Sequence, residues 1–301
     1  MRENNPIEFV IAGGLGNQLF MLCAGLYYAE KFGRRITFDI SGLERVELLH
    51  PGLNIYELGL IGEHQISKRK SIRKIIKAPT LLSKVSAKIE MILARVLSKE
   101  FYLVEEIGFI NLDCIPSSTK RVEGYFQSWR YFSGLIQKPE LSVRSLVEPT
   151  DWFVEELKLA KARKFAAFHI RRGDYTQPTN RINGILSIEY FQKVSRQLPA
   201  DIELLIFTDS PKEVSIELDK MEKSFRVVRP PLDSDPLESL ILLAQASYIA
   251  ISNSTFSWWA ATLASKETIV FAPTEWFELR DDPVDLIPNH WIKVPSEWKK
   301  Q

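Results

Sequence analysis

Short apolar runs, each closing on a polar cluster, recur along the 301-residue chain, and the segments between them carry apolar positions at helical spacing. The clearest run is Phe165–Ile170, suited to a strand buried on both faces. It closes on His169, Arg171, Arg172, Asp174 and Tyr175. Further strands are predicted at Ile7–Ala12, Arg35–Ile40, Phe101–Glu105, Arg121–Gln127, Glu203–Phe207, Phe225–Val228, Tyr248–Ile251 and, last, Thr268–Ala272. Helical patterns run to Phe32, over Asp151–Arg163 and Ser187–Leu198, to about Met221, and to about Ser265. Asp235-Pro236-Leu237-Glu238 carries a full helix-start signal: an Asp cap, Pro at the first position and Glu three after the cap. The second half therefore reads βαβαβαβαβ, which implies a parallel sheet covered on both faces. The first half opens strand, glycine turn, helix, in the Rossmann manner. The expected fold class is α/β, with one domain over 1–150, another over 151–301, and a hinge at Pro139–Pro149.

A parallel sheet brings the carboxyl ends of its strands to one edge, where open α/β sheets bind ligands. Three polar clusters then share that edge: His169–Tyr175, Thr208–Ser210 and Ser252–Ser257. Arginines bind phosphate through a planar fork that stays charged. Ser252–Ser257 opens a helix whose N-terminus attracts anions. Asp209, after a strand, suits donors on a ribose or a base edge. The trio points to a nucleotide diphosphate, against the plainer reading of Arg171, Arg172 and Asp174 as a surface ion pair after an ordinary strand. In the first half, Gly13-Gly14-Leu15-Gly16-Asn17-Gln18 permits close backbone approach at another helix start. It lacks a G-x-G-x-x-G in register and a following GK[ST]. Asn17 there reads equally as a cap.

Net charge is +1, so whole-chain charge gives no argument for a nucleic-acid partner. The two cysteines, Cys23 and Cys114, give neither a disulfide framework nor metal-ligand spacing, and the four histidines show no ligand spacing. Asp233-Ser234-Asp235 matches the acidic D-x-D of metal-dependent glycosyl transfer, but Asp235 is better explained as a cap. No metal and no resident cofactor are expected. Residues 64–100 carry ten Lys or Arg against two acids, with apolar residues between them. They read as a basic amphipathic helical region, either packed with a solvated basic face or in peripheral contact with an anionic membrane. The N-terminus lacks a signal-peptide pattern, and a cytoplasmic location is expected.

His169-Ile-Arg171-Arg172-Gly173-Asp174-Tyr175 resembles the H-x-R-R-x-D motif of fucosyltransferases, in the form found in the bacterial α-1,2 family. Gly14-Leu-Gly16-Asn17-Gln18, Gly124–Phe132 and Ser252–Trp259 resemble that family's other segments, in the same order, so the likeness spans roughly residues 9–277. It weakens over 41–120. It also departs at Phe207–Ser210, where many members carry two adjacent acids and this chain has Asp209 alone. The resemblance implies a GT-B fold, two Rossmann-like domains around a cleft, with the acceptor side in the first and the donor side in the second. It implies GDP-fucose as donor and a galactose-terminated glycan as acceptor. The reaction would be inverting and metal-independent and would form an α-1,2 linkage. Arg171, Asp174 and Asn17 would be catalytic. His169, Arg171, Arg172, Asp209, Asn253, Ser254, Thr255, Phe256 and Ser257 would bind the donor, while Gly14, Gly16, Gln18 and Tyr175 would line the acceptor side or cleft. Vertebrate members of that family carry a membrane anchor, so the lack of an export-signal pattern leads to the expectation of a bacterial cytoplasmic enzyme building surface polysaccharide. Two alternatives stay open: another linkage, such as α-1,6, and a non-catalytic GDP-sugar-binding protein.

Overall fold

The structure, a computed structural model, describes residues 6–40, 43, 65–67, 100–136 and 149–300. The chain divides into two units, Met1–Pro139 and Glu140–Gln301. Of the proposed hinge, Pro139–Pro149, all but Pro149 lies outside the described residues.

The first unit is built on a parallel sheet in the order β3-β2-β1-β5-β4. Its strands are β1 (Ile7–Val10), β2 (Ile36–Asp39), β3 (Gln65–Ser67), β4 (Phe101–Leu103) and β5 (Arg121–Glu123). Helix α1 (Leu15–Phe32) buries most of its length, from Leu15 and Gly16 through Ala29, and ends on Gly33 in the left-handed conformation. Phe9, Tyr28, Phe126 and Tyr131 pack as tilted or edge-on rings between α1, the sheet and the short helix α2 (Trp129–Ser133). Residues 65–67 fall inside the segment read as helical, but they pair in register with Thr37–Asp39 as an edge strand. A three-residue stretch carries too little pattern to outweigh its amphipathic surroundings, and backbone pairing with β2 decides it. Residues 68–99, the rest of the basic segment, lie outside the described residues.

The second unit has a six-stranded sheet, all pairs parallel, in the order β11-β10-β9-β6-β7-β8. Helix α3 (Asp151–Ala162) precedes β6 (Phe165–Ile170), which is buried at every position as its apolar run requires. There follow α4 (Ile188–Ser195), β7 (Glu203–Thr208), α5 (Pro211–Leu218), β8 (Arg226–Val227), α6 (Pro236–Leu243), β9 (Tyr248–Ala250), α7 (Thr255–Leu263) and β10 (Ile269–Pro273). The expected alternation of strand and helix is present. A further strand, β11 (Ile292–Val294), was not expected; it extends the sheet beyond β10. Ile292 and Lys293 are exposed there, so the strand lacks the apolar alternation by which a half-buried strand is recognised.

Asp235 caps α6 as predicted, its Oδ1 accepting from Leu237 N at 2.8 Å. Glu238, in the position that closes a capping box, does something else. It is fully buried and accepts from Thr150 N (2.6 Å) and Thr150 Oγ1 (2.9 Å), tying the start of α3 to α6. The same Thr150 Oγ1 accepts from Phe153 N, capping α3. Among the described residues no helix is long and apolar enough to cross a membrane.

Candidate functional site

Strand order fixes where each sheet changes direction. In the second unit the chain runs from β6 outward through β7 and β8, then returns to β9 on β6's other side. The switch point therefore lies between β6 and β9, where ligands of open α/β sheets bind. The carboxyl ends of those strands carry His169–Tyr175 and Ser252–Ser257, so two of the three clusters flank the switch point. The third, Thr208–Ser210, ends the adjacent β7.

The structure laces these clusters together. Arg171 NH1 lies 2.7 Å from Asp209 Oδ2, and Arg171 NH2 donates to Asp174 Oδ1. Asp209 Oδ1 accepts from Arg172 N at 2.9 Å, and Ser210 Oγ accepts from Gly173 N at 3.0 Å. Gly173 has φ +20°, and a Cβ there would clash with the Asp209 carboxylate, so glycine is required. Tyr175 donates its hydroxyl to Asn253 O (2.8 Å), and its ring lies 5.6 Å from the Arg171 guanidinium. His169 Nδ1 shares a 3.0 Å hydrogen bond with Ser252 Oγ, and its ring packs on Phe256.

The electrostatics follow from burial and pairing. Burial pushes His169 down to about 4, with Asp209 opposing and Arg171 adding to the shift, so the ring is neutral at pH 7. Burial works against the Arg171 cation as well, but Asp209 and Asp174 outweigh it and raise its pKa. Burial drives the Tyr175 phenol up to about 12, leaving it a donor. Arg171, 19% exposed, is thus a charged fork held between two carboxylates at the sheet edge. Beside it α7 begins at Ser254, whose side chain makes no capping bond. The first N–H groups of a helix have no intrahelical acceptor, so this end suits an anion.

Several residues expected at the donor also have partners within the protein. The Arg172 guanidinium is 1% exposed and forks onto Glu217, with NH2 2.6 Å from Oε2 and Nε 3.3 Å from Oε1. Its charge is met inside the unit by Glu217. Asn253 Nδ2 donates to Asn183 O at 2.7 Å and Gly184 O at 3.3 Å, holding the preceding loop. Ser257, fully buried, donates back to Ser254 O at 3.1 Å inside the first turn of α7. The small polar side chains that suit phosphate also suit loop bracing, and spacing does not separate the two uses. Glu217 was missed, and Ser210 was read only as part of the Thr208–Ser210 cluster. Ser210 sits beside a noticed Asp, but nothing in the sequence couples Glu217 to Arg172.

The first unit has its own switch point, between β1 and β5. Gly13 (φ +78°) turns the chain after β1, and Gly14 precedes α1 with no side-chain cap. Gly16 and Gln18 are buried, and Gln18 Nε2 donates to Gly13 O at 2.7 Å. Asn17 does not cap; its Oδ1 accepts from Gln127 Nε2 at 2.9 Å, so side-chain amides join the first turn of α1 to the segment after β5. Phe126, just before, holds the one positive φ of a non-glycine residue among the described residues. The described residues contain no group of three or more His, Cys, Asp or Glu side chains placed to hold a metal.

Two parallel α/β units, one with an arginine fork and an uncapped helix start at its switch point, define a protein suited to a phosphorylated ligand. The comparisons specify the class. The profile of Glycosyl transferase family 11 matches residues 7–291, and the chain belongs to that family. It is 28% identical to the alpha-1,2-colitosyltransferase of Escherichia coli over 94% of this chain and 97% of that protein. It is 29% identical to the O-antigen biosynthesis glycosyltransferase WbnK of Escherichia coli, over 42% of this chain and 44% of that one. It is also 26% identical to galactoside alpha-(1,2)-fucosyltransferase 1 of Saimiri sciureus, over 59% and 53% respectively.

Proposed function

We propose that the protein moves L-fucose from GDP-β-L-fucose to the 2-hydroxyl of a terminal galactose, with inversion at the anomeric carbon and without a metal. The observation that carries the reading is Arg171, a partly exposed guanidinium aimed by Asp209 and Asp174 at the carboxyl edge of a parallel sheet. The acceptor oxygen attacks the anomeric carbon, the bond from that carbon to the β-phosphate oxygen breaks, and the electron pair leaves with GDP. Negative charge grows on the β-phosphate as this happens, and Arg171 stabilises it there. Ser254 and Thr255, at the start of α7, supply main-chain N–H groups to the phosphates. Asp209 orients Arg171, its two oxygens taken by the Arg171 guanidinium and the Arg172 N–H. Asp174 is engaged by Arg171, so it too orients the fork, and a phosphate oxygen of the leaving group receives the acceptor's proton. Asn17 and Gln18 direct the sugar or the acceptor. The acceptor glycan belongs to a cell-surface polysaccharide, and the protein works in the cytoplasm.

A second reading rests on the 28% likeness to an alpha-1,2-colitosyltransferase over nearly the whole chain. Colitose is fucose without its 3-hydroxyl, so the same phosphate chemistry serves a GDP-colitose donor. The test offers each donor with a panel of β-galactosides in EDTA and assigns the product linkage by NMR. Fucose on the galactose 2-hydroxyl is expected. Colitosyl product alone would favour the second reading, and a 6-linked product would overturn the linkage. Activity that needs added Mn²⁺ would overturn the metal-free chemistry, and GDP-fucose binding without turnover would favour a binding protein.

A further inference from the structure

The second arginine of the H-x-R-R motif is buried, and its partners trace a continuous path. Its guanidinium makes three hydrogen bonds: Nε and NH2 fork onto Glu217, and NH1 donates to Arg171 O at 2.8 Å. Its own main-chain N–H donates to Asp209. Arg172 therefore grips both the backbone of Arg171 and the carboxylate that aims Arg171's side chain. Glu217 stands in the last turn of α5, the helix that begins directly after Asp209 and Ser210. The helix spans from the loop to the ion pair and closes a ring back onto the same loop. Lys299 adds a third arm: its Nζ lies 2.7 Å from Glu217 Oε1. The segment carrying it is docked by main-chain bonds, Lys299 N to Ile185 O at 2.8 Å and Ser187 N to Glu297 O at 2.6 Å. Burial alone would raise the Glu217 pKa, but the hydrogen bonds from Arg172 and Lys299 outweigh it and hold it down.

We infer that Glu217, clamped by Lys299, is a positioning residue: through the buried Arg172 it fixes the Arg171–Gly173 backbone and Asp209 so that the Arg171 fork meets the donor phosphate. The inference rests on the donor reading proposed above. Arg172 acts here without touching the ligand, and the C-terminal segment around Lys299 becomes part of the donor site's support. A buried ion pair with a third charge on it is rigid, because any displaced partner strands a charge away from water. Small misplacement of a group that must meet a transition state costs rate steeply.

A double-mutant cycle with Arg172→Gln and Glu217→Gln tests this, read in three ways. Each single variant should lower kcat/KM for GDP-fucose about 30-fold, mostly in kcat, and the double variant should be no worse than the poorer single, since both break one unit. Lys299→Ala should cost about threefold, and Lys299→Arg should restore it. In the ligand-free protein, exchange of the Arg172 and Gly173 amides should quicken about tenfold in Glu217→Gln, with the β6 amides unchanged. If Glu217→Gln unfolds the protein, Glu217→Asp, one methylene shorter, carries the same three readings. A normal rate in Glu217→Gln, with Arg172→Gln alone weakening GDP binding, would overturn the inference and make Arg172 a ligand contact. A lowered Tm with kcat and exchange unchanged would also overturn it. If the wild-type protein binds no GDP, the donor reading fails, while the exchange data still decide whether Glu217 holds the loop.

Discussion

The two switch points of this molecule are built alike and furnished differently. Each lies between a central strand and the strand that returns beside it, each opens onto a helix start without a side-chain cap, and in each a side-chain hydrogen bond crosses the switch point. In the first unit the bridge is neutral, Gln127 to Asn17. In the second, Tyr175 and His169 tie the ends, and a charged network of Arg171, Asp174 and Asp209 lies over them. Neutral amides donate and accept at short range and match hydroxyls. A guanidinium held between carboxylates projects charge and matches a diphosphate. One architecture thus yields a neutral end and a charged end, and the difference rests on a handful of side chains.

The largest effect should come from removing the charge. Arg171→Ala should lower kcat/KM about a thousandfold while the fold persists, as judged by circular dichroism and Tm. Arg171→Lys, which keeps charge but loses the fork, should fall between that variant and wild type. A near-normal rate in Arg171→Ala would erase the contrast between the two ends. Gly173→Ala comes next. Its Cβ would clash with Asp209 in a backbone conformation that L-residues rarely adopt, so both stability and rate should drop, the former by about 2 kcal/mol in a denaturant titration. Asn17→Ala sharpens the comparison from the other side: it should raise KM for the galactoside about tenfold and leave GDP affinity intact in calorimetry. An equal loss of GDP affinity would assign the first unit an anion-binding role.

The smallest effect is on pH. The His169 pKa is depressed from 6.5 to about 4, so the folded protein binds fewer protons than the unfolded chain between those values. The stability this ring contributes is therefore complete above pH 6.5 and falls as the pH drops toward 4. His169→Gln should flatten the dependence of Tm on pH between 6.5 and 5. An unchanged slope in that window would mean the ring is not held neutral by burial.

Much of this was legible in the sequence, and the reasons are local. Phe165–Ile170 was readable to the residue because a strand buried on both faces is a continuous apolar run. The carboxyl-edge clusters were readable because polar residues after such runs have few other places to go. Residues 65–67 and β11 were not, because short edge strands owe their existence to backbone pairing that no side chain announces. Within the site, Arg171 and Arg172 are adjacent and chemically identical. Their opposite fates, one at the edge and one buried, depend on Glu217, 45 positions after Arg172 and on another helix. Asn17 reads as a cap from spacing, and only the folded chain shows Gln127 reaching it.

The central claim is that charge at the second switch point takes the diphosphate of the donor. Calorimetric titration with GDP and with guanosine, on the wild-type protein and on Arg171→Gln, tests it most directly. The account predicts that wild type binds GDP at least about a hundredfold more tightly than guanosine and that Arg171→Gln loses most of that margin. Equal affinity for the two ligands, or a margin that survives in Arg171→Gln, would contradict it.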